Sequence, residues 1–97
     1  MLWVRPAATQ RAVRCSQRLL EARSLSRIHG TLLVIPVVNV YGMIHQTRYL
    51  PDRRDLNRSF PGSEKGSLAG RVANLFMREI VARCTHGIDL HTGAILR

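Results

Sequence analysis

The sequence predicts an α/β chain, a partial crossover unit of a mainly parallel mixed sheet flanked by helices. Three observations carry that expectation. Thr31 to Asn39 is a β-branched, apolar run of the kind found in strands covered on both faces. Ser67 opens a segment whose apolar residues recur at spacings of three and four, the period of a helix with one buried stripe. Ile88 to Leu90 is a second short apolar run, and strand, loop, helix, strand is the order of a parallel crossover.

In chain order, residues 1–16 mix Trp3, Pro6 and scattered Arg without a period and read as a poorly ordered leader. From Gln17 to Ile28 the residues Leu19, Leu20, Ala22, Leu25 and Ile28 fall at roughly helical spacing. That helix should end near Gly30, because glycine adopts the left-handed cap conformation cheaply. Pro36 lacks a backbone donor, so it belongs late in its strand or beside an unpaired edge. Val40 to Gly66 is rich in Gly, Pro, Asp and Arg and shows no period, and loops of this length are usually functional or disordered. The Ser67 hydroxyl can cap the next helix. Its buried stripe is expected to hold Leu68, Val72, Leu75, Phe76 and Ile80, with Arg71, Arg78 and Glu79 mostly opposite and an end near Cys84.

Composition bounds the function. A chain of 97 residues is at most one small domain, and small domains bury a low fraction of their surface, so stability should be marginal. Two cysteines far apart, Cys15 and Cys84, suggest neither a disulfide framework nor a cysteine zinc site. Reduced thiols and a cytoplasmic setting are expected. The longest apolar run, Leu32 to Val38, falls well short of the ~20 residues that span a bilayer, so no membrane segment is present. The Arg-rich, acid-poor start also resembles an organelle transit peptide. Fourteen Arg and one Lys against six acids give a net charge of +9, a balance that attracts anions of several kinds. A small basic nucleic-acid-binding module is the rival reading. It lacks a stacking platform, since Trp3, Tyr41, Tyr49, Phe60 and Phe76 are scattered, and neither zinc-finger spacing nor a helix-turn-helix signature supports it.

Two segments carry candidate chemistry, and both follow strand ends, where binding residues collect in parallel sheets. The first runs Arg48-Tyr-Leu-Pro-Asp-Arg-Arg-Asp55-Leu56-Asn57-Arg58-Ser-Phe60-Pro61-Gly62. A guanidinium matches a carboxylate bidentately and a neighbouring amide can complete the contact, a role that fits Arg58 beside Asn57. Asp55 is close enough in sequence to hold the Arg58 guanidinium or another part of the loop. In the second segment, Ile88-Asp89-Leu90-His91-Thr92-Gly93, a neutral imidazole at a strand end is a common metal ligand and a carboxylate often fixes its tautomer. Asp89 and His91 project to the same side of a strand.

The order and spacing of these segments resemble the succinylglutamate desuccinylase/aspartoacylase family, related to the zinc carboxypeptidases. The resemblance runs from about Gln17 to the end, through Pro36-Val-Val-Asn39, Asp55-Leu-Asn-Arg58-Ser-Phe-Pro-Gly62 and Asp89-Leu-His-Thr-Gly93. It implies the zinc carboxypeptidase-like fold and hydrolysis of an amide or related acyl bond in a small N-acyl amino acid or similar carboxylate. It further implies one zinc on two His and one Glu, with another Glu as general base. Under it, His91 is a metal ligand, Arg58 anchors the substrate carboxylate with help from Asn57, and Asp55 and Asp89 support from behind. Arg48 polarises the scissile carbonyl and stabilises the oxyanion. Zinc would lower the pKa of bound water to ~7.

The family's upstream His-x-x-Glu turn has no counterpart, because His29-Gly30-Thr31-Leu32 carries Leu where the carboxylate belongs. No Glu follows His91 before Arg97. One ligand does not hold zinc tightly, since protein sites use three or four groups. The expectation is therefore a fragment: residues 17–97 as a partial zinc-hydrolase domain, inactive alone, behind a leader that a shifted reading frame or wrongly chosen start has put in place of the metal motif. Such a fragment would expose strand edges and aggregate.

Overall fold

Proline at position 36 marks the end of the first apolar strand. The computed structural model describes residues 2–4 and 10–90, and the apolar run before that proline forms only a two-residue strand, β2, Val34–Ile35. Strands β1, Leu2–Val4, and β3, Ile88–Leu90, complete a sheet of order β2-β1-β3. Both pairings are parallel, with Leu2 opposite Val34 and opposite Ile88. The two apolar runs therefore lie in one layer and point the same way, so the chain leaves both at the same edge of the sheet. Pro36 follows an edge strand directly, where its missing donor costs no ladder bond.

Several expectations change. Leu2–Val4, read as leader, is the central strand. The first helix, α1, spans Gln10–Glu21 rather than starting at Gln17, and a 3-10 turn at Arg23–Arg27 takes up the rest of the expected helix. Ile28 caps that turn in extended conformation, and Gly30, with φ of +112°, lies two residues beyond. The nine-residue strand from Thr31 is short because β1 offers only three residues to pair with. Its flanks are not covered on both faces either, since Leu33 is exposed, and Ile88 in β3 is 59% exposed.

The segment from Val40 to Gly66 is not irregular throughout. Helix α2, Val40–Ile44, forms because the Asn39 side chain accepts the Gly42 amide at 2.8 Å, satisfying one of the orphan donors of a helix start. A single turn is too short for a period to show. A 3-10 turn at Leu56–Arg58 and an antiparallel bridge between Tyr49 and Asp55 order the rest.

Helix α3, Leu68–Glu79, starts where Ser67 predicts, with its hydroxyl accepting the Gly70 amide at 3.1 Å. It ends earlier than Cys84, giving way to a 3-10 turn at Val81–Arg83. The buried stripe is rotated from the expected one. Ala69, Ala73 and Phe76 are buried, whereas Leu68 and Leu75 are 41% and 53% exposed. The small side chains face inward because the loop from Leu50 to Phe60 lies directly on them: Leu50, Leu56, Ala69 and Ala73 form the core, with Val38, Phe60 and Val72 against it. Phe60 meets Phe76 edge to face, ring centroids 5.9 Å apart, a favoured aromatic geometry. The core thus sits beneath the arginine-bearing loop.

Candidate functional site

The site is built from the end of β2 outward. Asn39, only 3% exposed, uses its carboxamide oxygen to cap α2 and its Nδ2 to donate to the Arg48 carbonyl at 3.4 Å. One side chain thereby ties the strand end to the first arginine of the loop. Gly42 is required beneath it: a Cβ there would lie 2.6 Å from Asn39 Nδ2 and closer still to the Thr47 carbonyl, which accepts no such approach.

Arg48 turns back onto Asp55, its Nη2 2.6 Å from Asp55 Oδ2. The carboxylate is nearly buried, at 9% side-chain exposure against 34% for the arginine. Its other oxygen accepts the Asn57 amide at 2.9 Å, and its backbone carbonyl accepts the Arg58 amide at 3.1 Å and the Ser59 hydroxyl at 2.8 Å. Asp55 therefore both caps the 3-10 turn and holds a cation. The sequence left open which part of the loop Asp55 would hold. Its carboxylate holds the Arg48 guanidinium and the Asn57 amide, and its backbone carbonyl holds the Arg58 amide. Arg48 Nε is buried without a hydrogen-bond partner among the described residues.

Arg58 is exposed, and among the described residues no ion pair or side-chain hydrogen bond engages its guanidinium. A free fork of donors next to a fixed backbone is suited to a planar anion. Asn57, half-buried, sits beside it on the same turn. The loop thus brings Arg48, Asn57 and Arg58 together around Asp55.

Past Arg58 the loop closes on α3. A cis peptide joins Phe60 to Pro61. Gly62, with φ of +74°, lies so close to α3 that a Cβ would meet the Gly70 carbonyl and come within 2.8 Å of the Asn74 amide nitrogen. The Ser63 amide donates to the Gly70 carbonyl at 3.2 Å. At the other end, Asp52 Oδ2 accepts the Ala69 amide at 2.9 Å and Oδ1 accepts the Arg54 amide at 3.2 Å. The Ala69 amide above all, then the Arg54 amide and guanidinium, hold the Asp52 carboxyl below its ordinary value against the opposing effect of burial.

Asp89 lies in β3 opposite Trp3 and is half-buried. His91 falls outside the described residues, as does the turn that follows it. Among the described residues no group of three or more His, Cys, Asp or Glu could hold a metal ion, so the described donor set does not fit a zinc site. No helix among them is long and apolar enough to cross a membrane.

Sequence reasoning missed Asn39 and Asp52 as site-building residues. Both carried a signal: an Asn between a strand and the next helix is a capping position, and Pro51-Asp52 is a turn dipeptide whose carboxylate reaches nearby amides.

The chain is thus an α/β domain in which an arginine-bearing loop follows the edge strand of a parallel sheet. The chain belongs to the succinylglutamate desuccinylase/aspartoacylase family, whose catalytic-domain model matches residues 10–96. That match begins at the first residue of α1, seven residues before Gln17. The N-alpha-acetyl-L-2,4-diaminobutyric acid deacetylase of Halomonas elongata is 32% identical over 78 residues, covering 79% of this chain and 23% of that protein. A product-bound structure of the ectoine utilization protein EutE (DoeB) from Ruegeria pomeroyi matches with a TM-score of 0.77 at 26% identity, covering 95% of this chain and 29% of the other. The chain thus spans less than a third of the length of each of these relatives.

Proposed function

We propose that the chain supplies the carboxylate-anchoring part of a deacylase that acts on a small N-acyl amino acid. The observation that carries this reading is the division of labour around Asp55: one carboxylate occupies Arg48 and the Asn57 amide at 2.6 and 2.9 Å while Arg58 is left exposed and unpaired among the described residues. Buried charges need partners, and Asp55 has them, so the loop keeps its shape without drawing on Arg58. The Arg58 guanidinium can then receive the substrate carboxylate, with Asn57 donating alongside. Arg48, fixed by Asp55, serves to polarise the acyl carbonyl and balance charge that develops on its oxygen.

The fold reading extends to the zinc carboxypeptidase-like hydrolases, with residues 17–97 as a partial domain, and the family resemblance gives His91 the role of a zinc ligand with Asp89 behind it. The described residues do not complete such a site. The isolated chain is expected to bind the carboxylate without turning the substrate over.

The relative from Halomonas elongata names a probe. Titrating N-α-acetyl-L-2,4-diaminobutyrate into the labelled chain should shift the amide resonances of Asn57, Arg58 and Ser59, and Arg58→Ala should weaken binding at least about 10-fold, as loss of a charge-assisted contact does. Equal binding by Arg58→Ala, or steep salt-dependent binding of random oligonucleotides through the same residues, would overturn the proposal in favour of a basic nucleic-acid-binding module.

A further inference from the structure

The arginine loop is fastened to α3 at two points, one on each side of Arg58. The trailing fastening is backbone, where the Ser63 amide meets the Gly70 carbonyl and Gly62 packs on the same turn. The leading fastening is a single side chain, Asp52, which spans seventeen residues to the Ala69 amide while closing its own turn on the Arg54 amide. That turn is otherwise held by Leu50 and Arg54, whose amide and carbonyl pair at 3.0 Å, and it carries Arg53 at a φ of +61°. Between the two fastenings lie Leu56, 4% exposed against Ala69 and Ala73, and the turn that presents Asn57 and Arg58.

Helix α3 does not depend on Asp52 for its cap. Ser67 already takes the Gly70 amide, while the Ala69 amide, in a residue with no solvent exposure, has the Asp52 carboxylate as its partner. What a distant carboxylate adds is geometry, because it fixes a loop residue to a rigid helix and removes conformational freedom from the nine residues between the fastenings. The helix dipole favours a negative charge at that end.

We propose that Asp52 is a positioning residue for the anion-anchoring loop: by bridging the Arg54 and Ala69 amides it fixes the turn that aims Arg58 and Asn57 outward. The inference rests on the reading of Arg58 as the carboxylate anchor. Asp52 touches no substrate and acts through the loop.

The test uses the full chain as wild type, Asp52→Ala and Asp52→Asn, with two readouts. Amide hydrogen exchange at Asn57, Arg58 and Ser59 reports the loop, and exchange at Phe76, Met77 and Ile80 reports α3. Asp52→Ala should speed loop exchange at least 10-fold with α3 unchanged, and should raise the Kd for N-α-acetyl-L-2,4-diaminobutyrate about 10-fold. Asp52→Asn, which keeps one side-chain acceptor, should restore part of both. Faster exchange at Ala69 alone, with Asn57, Arg58 and Ser59 unaffected, would overturn the proposal and leave Asp52 as a helix cap. If Asp52→Ala does not fold, loop exchange in Asp52→Asn equal to wild type overturns it and intermediate loop exchange supports it. Absence of binding by the wild type would count against the Arg58 anchor, while the exchange rates still decide the role of Asp52.

Discussion

Residues 10–45 and residues 48–79 are built on different terms. The first stretch has strong amphipathic and β-branched patterns, yet Leu20, Ile28, Leu33, Val40 and Ile44 are exposed, and among its described side chains, residues 13–45, the buried ones are Ser16, Asn39 and Gly42. The second stretch contains a loop with no period at all, yet it holds Leu50, Leu56, Ala69, Ala73 and Phe76, the buried apolar residues of the described chain. The loop that looks irregular in sequence supplies Leu50 and Leu56 to the core and packs them on α3, so order here follows side-chain fastening as well as pattern. A binding loop made of core is stiff, and stiffness is what holds an exposed arginine ready for its ligand at low entropic cost.

The sharpest way to break this comparison is to truncate one apolar residue in each stretch. Leu56→Ala should cost about 3 kcal/mol, within the range for emptying a buried leucine site, whereas Leu33→Ala in the exposed strand flank should cost under about 0.5 kcal/mol. Urea unfolding followed by circular dichroism measures both, and equal costs would erase the distinction. Gly62→Ala comes next. A side chain at positive φ against the α3 backbone should cost about 2 kcal/mol or more, read as a lower denaturation midpoint.

Asp55→Asn should cost about 1–3 kcal/mol, since it leaves the part-buried Arg48 guanidinium without its counter-charge. Arg48→Ala combined with Asp55→Asn should recover part of that loss, because the coupling between contacting residues makes single changes non-additive. The smallest effect is on pH. Because its folded carboxyl is depressed chiefly by the Ala69 amide, the Asp52 contribution is fully present above the unfolded aspartate value of about 3.9 and is lost as pH falls through the lower folded value. Wild type should therefore lose stability below about pH 4 more steeply than Asp52→Asn, and parallel profiles would contradict the assignment.

What was legible in the sequence is tied to local chemistry. Ser67 marked the start of α3 because a hydroxyl cap acts within one turn, and Pro36 marked the end of β2 because it removes a donor from an edge. The candidate residues Arg48, Asp55, Asn57 and Arg58 were legible as a cluster since they share one short segment. What was hidden depends on contacts made elsewhere. The rotation of α3 toward Ala69 and Ala73 follows from a loop that lies close to it, and the place of Leu2–Val4 between β2 and β3 follows from non-local pairing. Neither leaves a period in the chain. The pairing of Asp55 with Arg48 rather than Arg58 is of the same kind, since the Tyr49 to Asp55 bridge brings together residues that sequence distance sets apart.

The central claim is that the arginine loop is a rigid presenter of Arg58, and backbone nitrogen relaxation on the wild-type chain tests it without any substitution. Order parameters near 0.85 at Asn57, Arg58 and Ser59, equal to those of α3, are the predicted result. Values below about 0.6 at those three amides, with α3 still rigid, would contradict it.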